Sequence, residues 1–371
     1  MAAERHGLEL HSLVTEEGTL RITLDPVPLA EPGPGELLVR VEAAPVNPSD
    51  LGLLFGPADM ATLRREGDAL IADVPLDRLP AVAGRIGKPM AVGNEGAGTV
   101  VAAGPDLQHL IGRKVGMIGG SMYAQYRRVA LADSLLLPED AAAAEGASLF
   151  VNPLTALGFV ETMRAEGHSA IVHTAAASNL GQMLVRICKA DGVPLVNIVR
   201  SPAQVALLRD LGAEHVLDSS SPDFDAQLVE AIAATGATIA FDAIGGGTQG
   251  GRILAAMEAV AARSLKSYSR YGSDSFKQLY IYGMLDVGPT VIDRHFGFAW
   301  SMGGWLLFPF LRKAGAETVA RMRARILAEF RTTFASTYTA TIGLADLLDP
   351  EVALASQRKG TGEKYLVDPS R

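Results

Sequence analysis

From about residue 168 onward, short apolar runs alternate with segments whose apolar residues recur every three to four positions. The runs are AIVHTAAA, PLVNIVR, EHVLDS, TIAFDAIG and KQLYIYGM, and between them lie SNLGQMLVRICKADG, SPAQVALLRDLG, DFDAQLVEAIAATG and TQGGRILAAMEAVAA. In the first of these segments Leu180, Met183, Leu184, Ile187 and Cys188 share the helical stripe i, i+3, i+4, i+7, i+8. Near-continuous apolar strands separated by amphipathic helices predict a parallel sheet covered on both faces, the doubly wound α/β architecture. Residues 1 to 150 follow another pattern. LRITLDPVPL, ELLVRVEAAPVN, AGTVVAAG, KVGMI and YRRVAL are punctuated by Pro and Gly, and LLVRVEA alternates with period two, so a β-rich domain is predicted. The stretch 57–92 is less regular; ADMATLRREGDAL predicts a short helix in an insertion or lid. A long helix is predicted over ETVARMRARILAEFRTTF, after which TYTATIG and KYLVD read as strands that rejoin the first domain. The expected domains are 1–150 with 332–371, and 151–331.

Composition narrows the function classes. A hydrophobic content of 48% with 20% charged residues over 371 residues supplies ample core for two domains. A net charge of −8 argues against nucleic acid, whose phosphates call for clustered Lys and Arg. The single cysteine, Cys188, excludes an internal disulfide and a cysteine-based zinc cluster. Its helical phase makes it a core residue. With no long apolar run in MAAERHGLEL, a cytoplasmic protein is expected. FGFAWSMGGWLLFPF (296–310) is too short and glycine-interrupted to span a bilayer, and reads as a buried strand or subunit contact.

The strand–helix junction HTAAASNLGQM carries the first candidate chemistry. A phosphate-cradling turn has glycines in the pattern G-x-G-x-x-G, and here the three places fall on Ala176, Ser178 and Gly181. Ser178 and Asn179 stand where helix caps belong, and the first-turn amides, Leu180 included, would face a pyrophosphate. Nineteen residues after Gly181, NIVRS offers Arg200 and Ser201 and no acid. An acid there would select NAD, whereas Arg accommodates the 2′-phosphate of NADP.

The ordered stretches VNPSD (46–50), GNEGAGTVVAAG (93–104), GRKVGM (112–117), NPLTAL (152–157), AASNLGQM (176–183), RDLGAEHVLD (209–218), FDAIGG (241–246) and GEKYLV (362–367) resemble the medium-chain dehydrogenase/reductase superfamily. They are most similar to its zinc-free quinone oxidoreductase and 2-enoyl thioester reductase branch. The resemblance implies a GroES-like, partly open barrel domain, a Rossmann domain, NADPH in the cleft between them, and a homodimer joined through edge strands near 296–310. It places Asn47 beside the nicotinamide ribose, Thr155 near the carboxamide, and Tyr282 and Gly283 flanking the ring. The zinc-ligand places of the superfamily are held by Asn47, Asn94 and the stretch around Asn152, and Glu95 alone cannot build a tetrahedral shell, so no metal is expected. The implied activity is hydride delivery to a quinone, an enone or an enoyl thioester, with an NADPH-binding structural or sensor protein as the alternative. LGLLFGPADM lacks the tyrosine that enoyl reductases of this branch carry after N-P-S-D, and Tyr123 is the substitute candidate for contacting substrate. Asp50 is expected to cap the short helix after Asn47, His173 to be a core or capping residue, and Arg64, Arg65, Arg85 and Lys88 to form a solvated surface or line a substrate mouth.

Overall fold

The computed structural model describes residues 5–357 and 364–371, and the chain divides into two compact units, Met1–Val151 with Arg325–Arg371, and Asn152–Ala324. The first two residues of GEKYLV, Gly362 and Glu363, lie outside the described residues. The return to the first unit comes at Arg325, earlier than the expected 332. It falls inside the helix Leu307–Ala328, which is kinked at Gly315.

The first unit is built on two sheets, one antiparallel throughout and one mixed. One runs in the order Arg64–Glu66, Ala69–Asp73, Thr19–Pro28, His6–Val14, Met90–Ala91. The other runs Ser134–Leu136, Lys114–Ile118, Glu95–Ala103, Glu36–Pro45, Tyr365–Val367, Ala340–Ile342, with Tyr126–Ala130 also on Glu36–Pro45. The tail strands do rejoin this unit: Tyr365–Val367 pairs antiparallel with the end of Glu36–Pro45. The helix predicted in ADMATLRREGDAL shrinks to a single 3-10 turn, Met60–Thr62, capped by Asp59. Beyond it Arg64–Glu66 and Ala69–Asp73 form a hairpin, and Ala69–Asp73 pairs with Thr19–Pro28. Leu70, Ile71 and Ala72 are buried in that pairing, so long-range burial overrides the helical propensity of the charged stretch. Arg85 does not line a mouth either, since its guanidinium reaches into Ser12 Oγ at 2.8 Å.

The second unit carries a six-stranded parallel sheet: β1 Ile171–His173, β2 Leu195–Val199, β3 His215–Asp218, β4 Ile239–Asp242, β5 Lys277–Ile281 and β6 Trp300–Gly304. Their spatial order is β3-β2-β1-β4-β5-β6, so the strand order reverses between β1 and β4. All five residues of β2 and all four of β4 are buried, as strands covered on both faces require. On one face Phe159 stacks on Phe241 with ring centroids 4.0 Å apart, and Trp305 meets Phe159 edge-on at 4.9 Å. The helical stretch Ala143–Ala165, which contains Phe159, is long and apolar enough to cross a membrane, but 78% of its apolar window is buried inside the protein. Its apolarity is that of a core helix. The expected buried strand in 296–310 is present as β6, but at the sheet edge and not sealed: Phe298, Leu306 and Phe308 are exposed around it.

Candidate cofactor and active site

The second unit builds a capped turn at the carboxyl end of β1. Helix α1 (Asn179–Asp191) begins after Ser178, whose Oγ accepts from Gly181 N at 3.1 Å, and ends on Gly192 in the left-handed conformation. Ala175, not one of the expected glycine places, takes the left-handed backbone with φ 51°. A non-glycine residue there costs about 1 kcal/mol, a strain that clusters at functional turns. Gly181 cannot be replaced without movement, because a Cβ would sit 2.1 Å from Ala176 O. The helix therefore packs directly on the turn, and its first amides face outward from the end of β1. At the end of β2, Arg200 is exposed and Ser201 caps the helix Pro202–Asp210, accepting from Gln204 N. The turn, the helix N-terminus and Arg200 thus lie on the carboxyl edge of β1 and β2.

The reversal point between β1 and β4 is tied by side chains. Thr174 Oγ1 donates to Asp242 Oδ1 at 2.6 Å and accepts from Ala243 N at 2.9 Å. Asp242 also accepts from Ile244 N at 3.0 Å and Gly245 N at 3.1 Å. Next to this knot His173, at 0% exposure, shares a 2.7 Å hydrogen bond from Nε2 with the hydroxyl of Tyr282, while its Nδ1 has no partner. The two rings stack with centroids 5.8 Å apart, and Phe159 meets Tyr282 edge-on at 4.8 Å. Burial pushes the His173 imidazole down to about 3 and the Tyr282 phenol well above its usual range, so both are neutral at physiological pH. Gly283 follows, where a Cβ would lie 2.6 Å from Ala243 O, so only glycine fits beside the end of β4. Thr155 is buried near the start of helix Val151–Ala165.

The first unit buries a polar cluster around Asn47, which is 2% exposed. Asn47 opens the short helix Pro48–Leu54, and its backbone N donates to Asp50 Oδ2 at 2.9 Å, so Asp50 does cap that helix. Asp50 Oδ1 accepts from Asn94 N at 2.9 Å, pinning two segments 44 residues apart. Asn47 Nδ2 donates to Glu95 Oε1 at 2.9 Å, and Glu95 Oε2 accepts from Phe150 N and Val151 N, each at 2.9 Å. Three N–H donors converge on Glu95, so the acceptor-only carboxylate fits the geometry. This in turn dictates the Asn47 amide orientation: Nδ2 must face Glu95, which leaves Oδ1 buried and without a partner. Burial pushes the Glu95 carboxyl up, while Lys364 and the donors pull it back. Asp50 is pushed up to about 7, first by burial and then by the nearby Glu95 charge. Lys364, which donates to Ser148 Oγ at 2.8 Å, is pushed down to about 8 by burial against the attraction of Glu95 and Asp50.

Tyr123 is corrected by this geometry. It lies in the core at 0% exposure, with its hydroxyl donating to Pro45 O at 3.2 Å, and its backbone N and O are held by Val92 and Leu10. A phenol sealed in this way does not contact substrate. Glu95 and Lys364 are chemistry-bearing residues that the motifs left without a role, and the hydrogen bond between His173 and Tyr282 is one that no motif announced. A charged residue before an apolar strand (Lys364 before YLV) and a buried acid inside a glycine-rich strand start (Glu95 in GNEGAG) were the available signals.

A six-stranded Rossmann sheet with a capped phosphate-type turn, joined to a β-rich unit holding a buried Asn–Glu pair, defines the two-domain GroES-like plus Rossmann class. Comparison with known proteins agrees. The alcohol dehydrogenase GroES-like domain family matches residues 33–139, and the zinc-binding dehydrogenase family matches residues 180–261. The chain belongs to the medium-chain dehydrogenase/reductase superfamily. A mitochondrial enoyl-[acyl-carrier-protein] reductase of Xenopus tropicalis is 30% identical over 224 residues, 58% of this chain and 54% of that protein. The synaptic vesicle membrane protein VAT-1 homolog of Mus musculus is 30% identical over 220 residues, 58% of this chain and 48% of that protein. The match thus spans about half the length of these curated relatives. A crystal structure from Mesorhizobium loti, provisionally assigned as an NADPH:quinone reductase, has a TM-score of 0.72 at 25% identity, covering 100% of both chains. An enoyl thioester reductase from Candida tropicalis has a TM-score of 0.66 at 20% identity over 98% of this chain and 100% of that one, a likeness of fold.

Proposed function

We propose that the protein is a zinc-independent, NADPH-dependent oxidoreductase that reduces a quinone or the C=C bond of an α,β-unsaturated carbonyl compound. The observation that carries this reading is the carboxyl edge of β1 and β2, where a helix N-terminus and exposed Arg200 stand with no acid in NIVRS. Anion-binding amides and a guanidinium suit a pyrophosphate and a 2′-phosphate. Names carried by relatives, an enoyl reductase and an NADPH:quinone reductase, point the same way. The residues present fit the cofactor. Gly181 lets the helix reach the turn, and the buried, unpartnered Asn47 Oδ1 is an acceptor suited to a ribose hydroxyl. When bound, NADPH supplies the hydride from C4 of its nicotinamide. The chain's part is to orient the acceptor, exclude water and stabilise the oxygen that gains negative charge.

Zinc independence rests on donor chemistry. An amide occupies position 47, and both oxygens of Glu95 are engaged by N–H donors. A homodimer through β6 fits the exposed Phe298, Leu306 and Phe308 beside that edge strand, an apolar surface suited to a second copy. The test is NADPH oxidation against a panel of quinones, enones and enoyl thioesters, with metal analysis of the same sample. Turnover with less than stoichiometric zinc is expected, and no turnover with any acceptor would refute the reading. Tight NADPH binding without substrate-dependent oxidation would favour a nucleotide-binding sensor.

A further inference from the structure

His173 and Tyr282 sit at the carboxyl ends of β1 and β5, beside the Thr174–Asp242 knot that joins β1 to β4. In an open α/β sheet the crevice at this reversal point is where ligands lie. The pair is neutral and shares one hydrogen bond between two groups that together carry two hydrogens, the phenol O–H and the imidazole N–H. One arrangement has Tyr282 donating to Nε2, which leaves Nδ1–H as a buried donor with no acceptor. The other has Nε2–H donating to the phenol oxygen, which leaves Nδ1 as a bare lone pair and frees the phenol hydrogen. An orphaned N–H on fully buried His173 has nothing to reach, whereas the phenol hydrogen of half-buried Tyr282 can be taken up by a ligand, so the second arrangement is favoured. The phenol O–H then has no acceptor within the protein, on a half-buried residue at the edge where a ligand is expected.

We propose that Tyr282 is a hydrogen-bond donor to a carbonyl oxygen bound at the β1/β4 crevice, and that His173, as its Nε2–H tautomer, is the positioning residue that aims it. The inference rests on the reductase reading above and deepens it, because LGLLFGPADM lacks the branch tyrosine and the core holds Tyr123. Two carbonyls of the same chemistry could take the bond, that of the nicotinamide carboxamide and that of the substrate. Tyr282 is the catalytic residue in the second case and a cofactor-binding residue in the first.

The test has two independent readouts. Nitrogen-15 NMR of the imidazole, on the protein with and without NADPH, should show His173 protonated at Nε2; protonation at Nδ1 overturns the proposal whatever the activity. Tyr282→Phe keeps the ring against Phe159 and His173 and removes only the donor. A fall of roughly 10²–10³-fold in kcat with an unchanged Kd for NADPH assigns the bond to the substrate oxygen. A Kd raised about tenfold, on the scale of one lost hydrogen bond, assigns it to the carboxamide. Unchanged kcat and Kd overturn the proposal. His173→Gln, which keeps an N–H donor, should retain function that His173→Leu loses; equal loss in both would also overturn it. A wild-type protein that fails to oxidise NADPH with every acceptor offered refutes the reductase reading instead, and the tautomer result stands apart from that outcome.

Discussion

Replacing Glu95 by glutamine separates two roles that the wild-type carboxylate combines. Glu95 accepts three hydrogen bonds, one from Asn47 Nδ2 and two from the amides of Phe150 and Val151. In Glu95→Gln the new Oε1 can keep both backbone amides. The new amide nitrogen then faces Asn47, whose side chain must turn so that Oδ1 accepts. The hydrogen-bond count is preserved, one glutamine N–H is left over at about 1–3 kcal/mol, and the desolvation cost of a buried charge is relieved in return. A net change within about 2 kcal/mol, a few degrees in Tm, is expected. Glu95→Ala instead removes the acceptor that three N–H donors share, at up to about 1–3 kcal/mol each, a loss that approaches the whole stability of a domain. The turned amide also presents Nδ2 in place of Oδ1 to the ligand. NADPH should therefore bind roughly 2- to 12-fold more weakly, the worth of one neutral hydrogen bond. Thermal denaturation and fluorescence titration with NADPH check both parts. If Glu95→Gln melts as early as Glu95→Ala, charge on Lys364 rather than the acceptor geometry holds the cluster. If NADPH affinity is unchanged, Asn47 Oδ1 does not face the cofactor.

Three further outcomes follow from the same geometry. Gly181→Ala drives a Cβ to within 2.1 Å of Ala176 O, so the turn must shift; about 1–3 kcal/mol of stability and most NADPH affinity should be lost, and a variant that binds normally would refute the turn's role. Arg200→Ala should weaken NADPH about 10- to 100-fold and NADH little, from the worth of a charge-assisted hydrogen bond to phosphate, so equal effects on both cofactors would remove the 2′-phosphate contact. Asp50, raised to about 7, contributes stability that is complete below its ordinary value of 3.8 and is lost as pH rises through about 7. The Tm difference between wild type and Asp50→Asn should therefore fall from acid to neutral pH, and a flat difference would show that the carboxyl titrates alike in the folded and unfolded chain.

The Rossmann half was legible because burial on both faces leaves an apolar run for each strand and an amphipathic stripe for each helix. The stripe through Leu180, Met183, Leu184, Ile187 and Cys188 is buried as expected. The differences lie at the margins of this half: the unit ends at Ala324, β6 is an unsealed edge strand, and the chain turns left-handed at Ala175 where glycine spacing points to Ala176. The β-rich half was legible strand by strand but not in its exceptions. ATLRREG has helical propensity, and the hairpin there is decided by partners about 50 residues away on Thr19–Pro28. Tyr123 follows two glycines, which suggests a loop, yet its backbone bonds to Leu10 and Val92 pull it into the core. Short windows cannot register pairings of that range.

The candidate site was half legible for a related reason. Motifs report backbone requirements, such as Gly181 against Ala176 O, because those are local in sequence. The polar chemistry is non-local: Asn47 meets Glu95 across 48 residues, Lys364 meets Ser148 across 216, and His173 meets Tyr282 across 109. Two of these contacts, the first and the last, satisfy one group by orienting another, and the surplus ends up on a single atom. Glu95 takes the amide nitrogen of Asn47 and leaves Oδ1 open; Nε2 of His173 takes the phenol of Tyr282 and leaves Nδ1 open. Each such orphan costs about 1–3 kcal/mol. The cost at Asn47 is offset if a ligand hydroxyl donates to Oδ1, and the phenol hydrogen of Tyr282 is satisfied if a ligand oxygen accepts it, while Nδ1 of His173 stays open in either case. The strained Ala175 marks the same carboxyl edge of the sheet as His173 by an independent, backbone criterion.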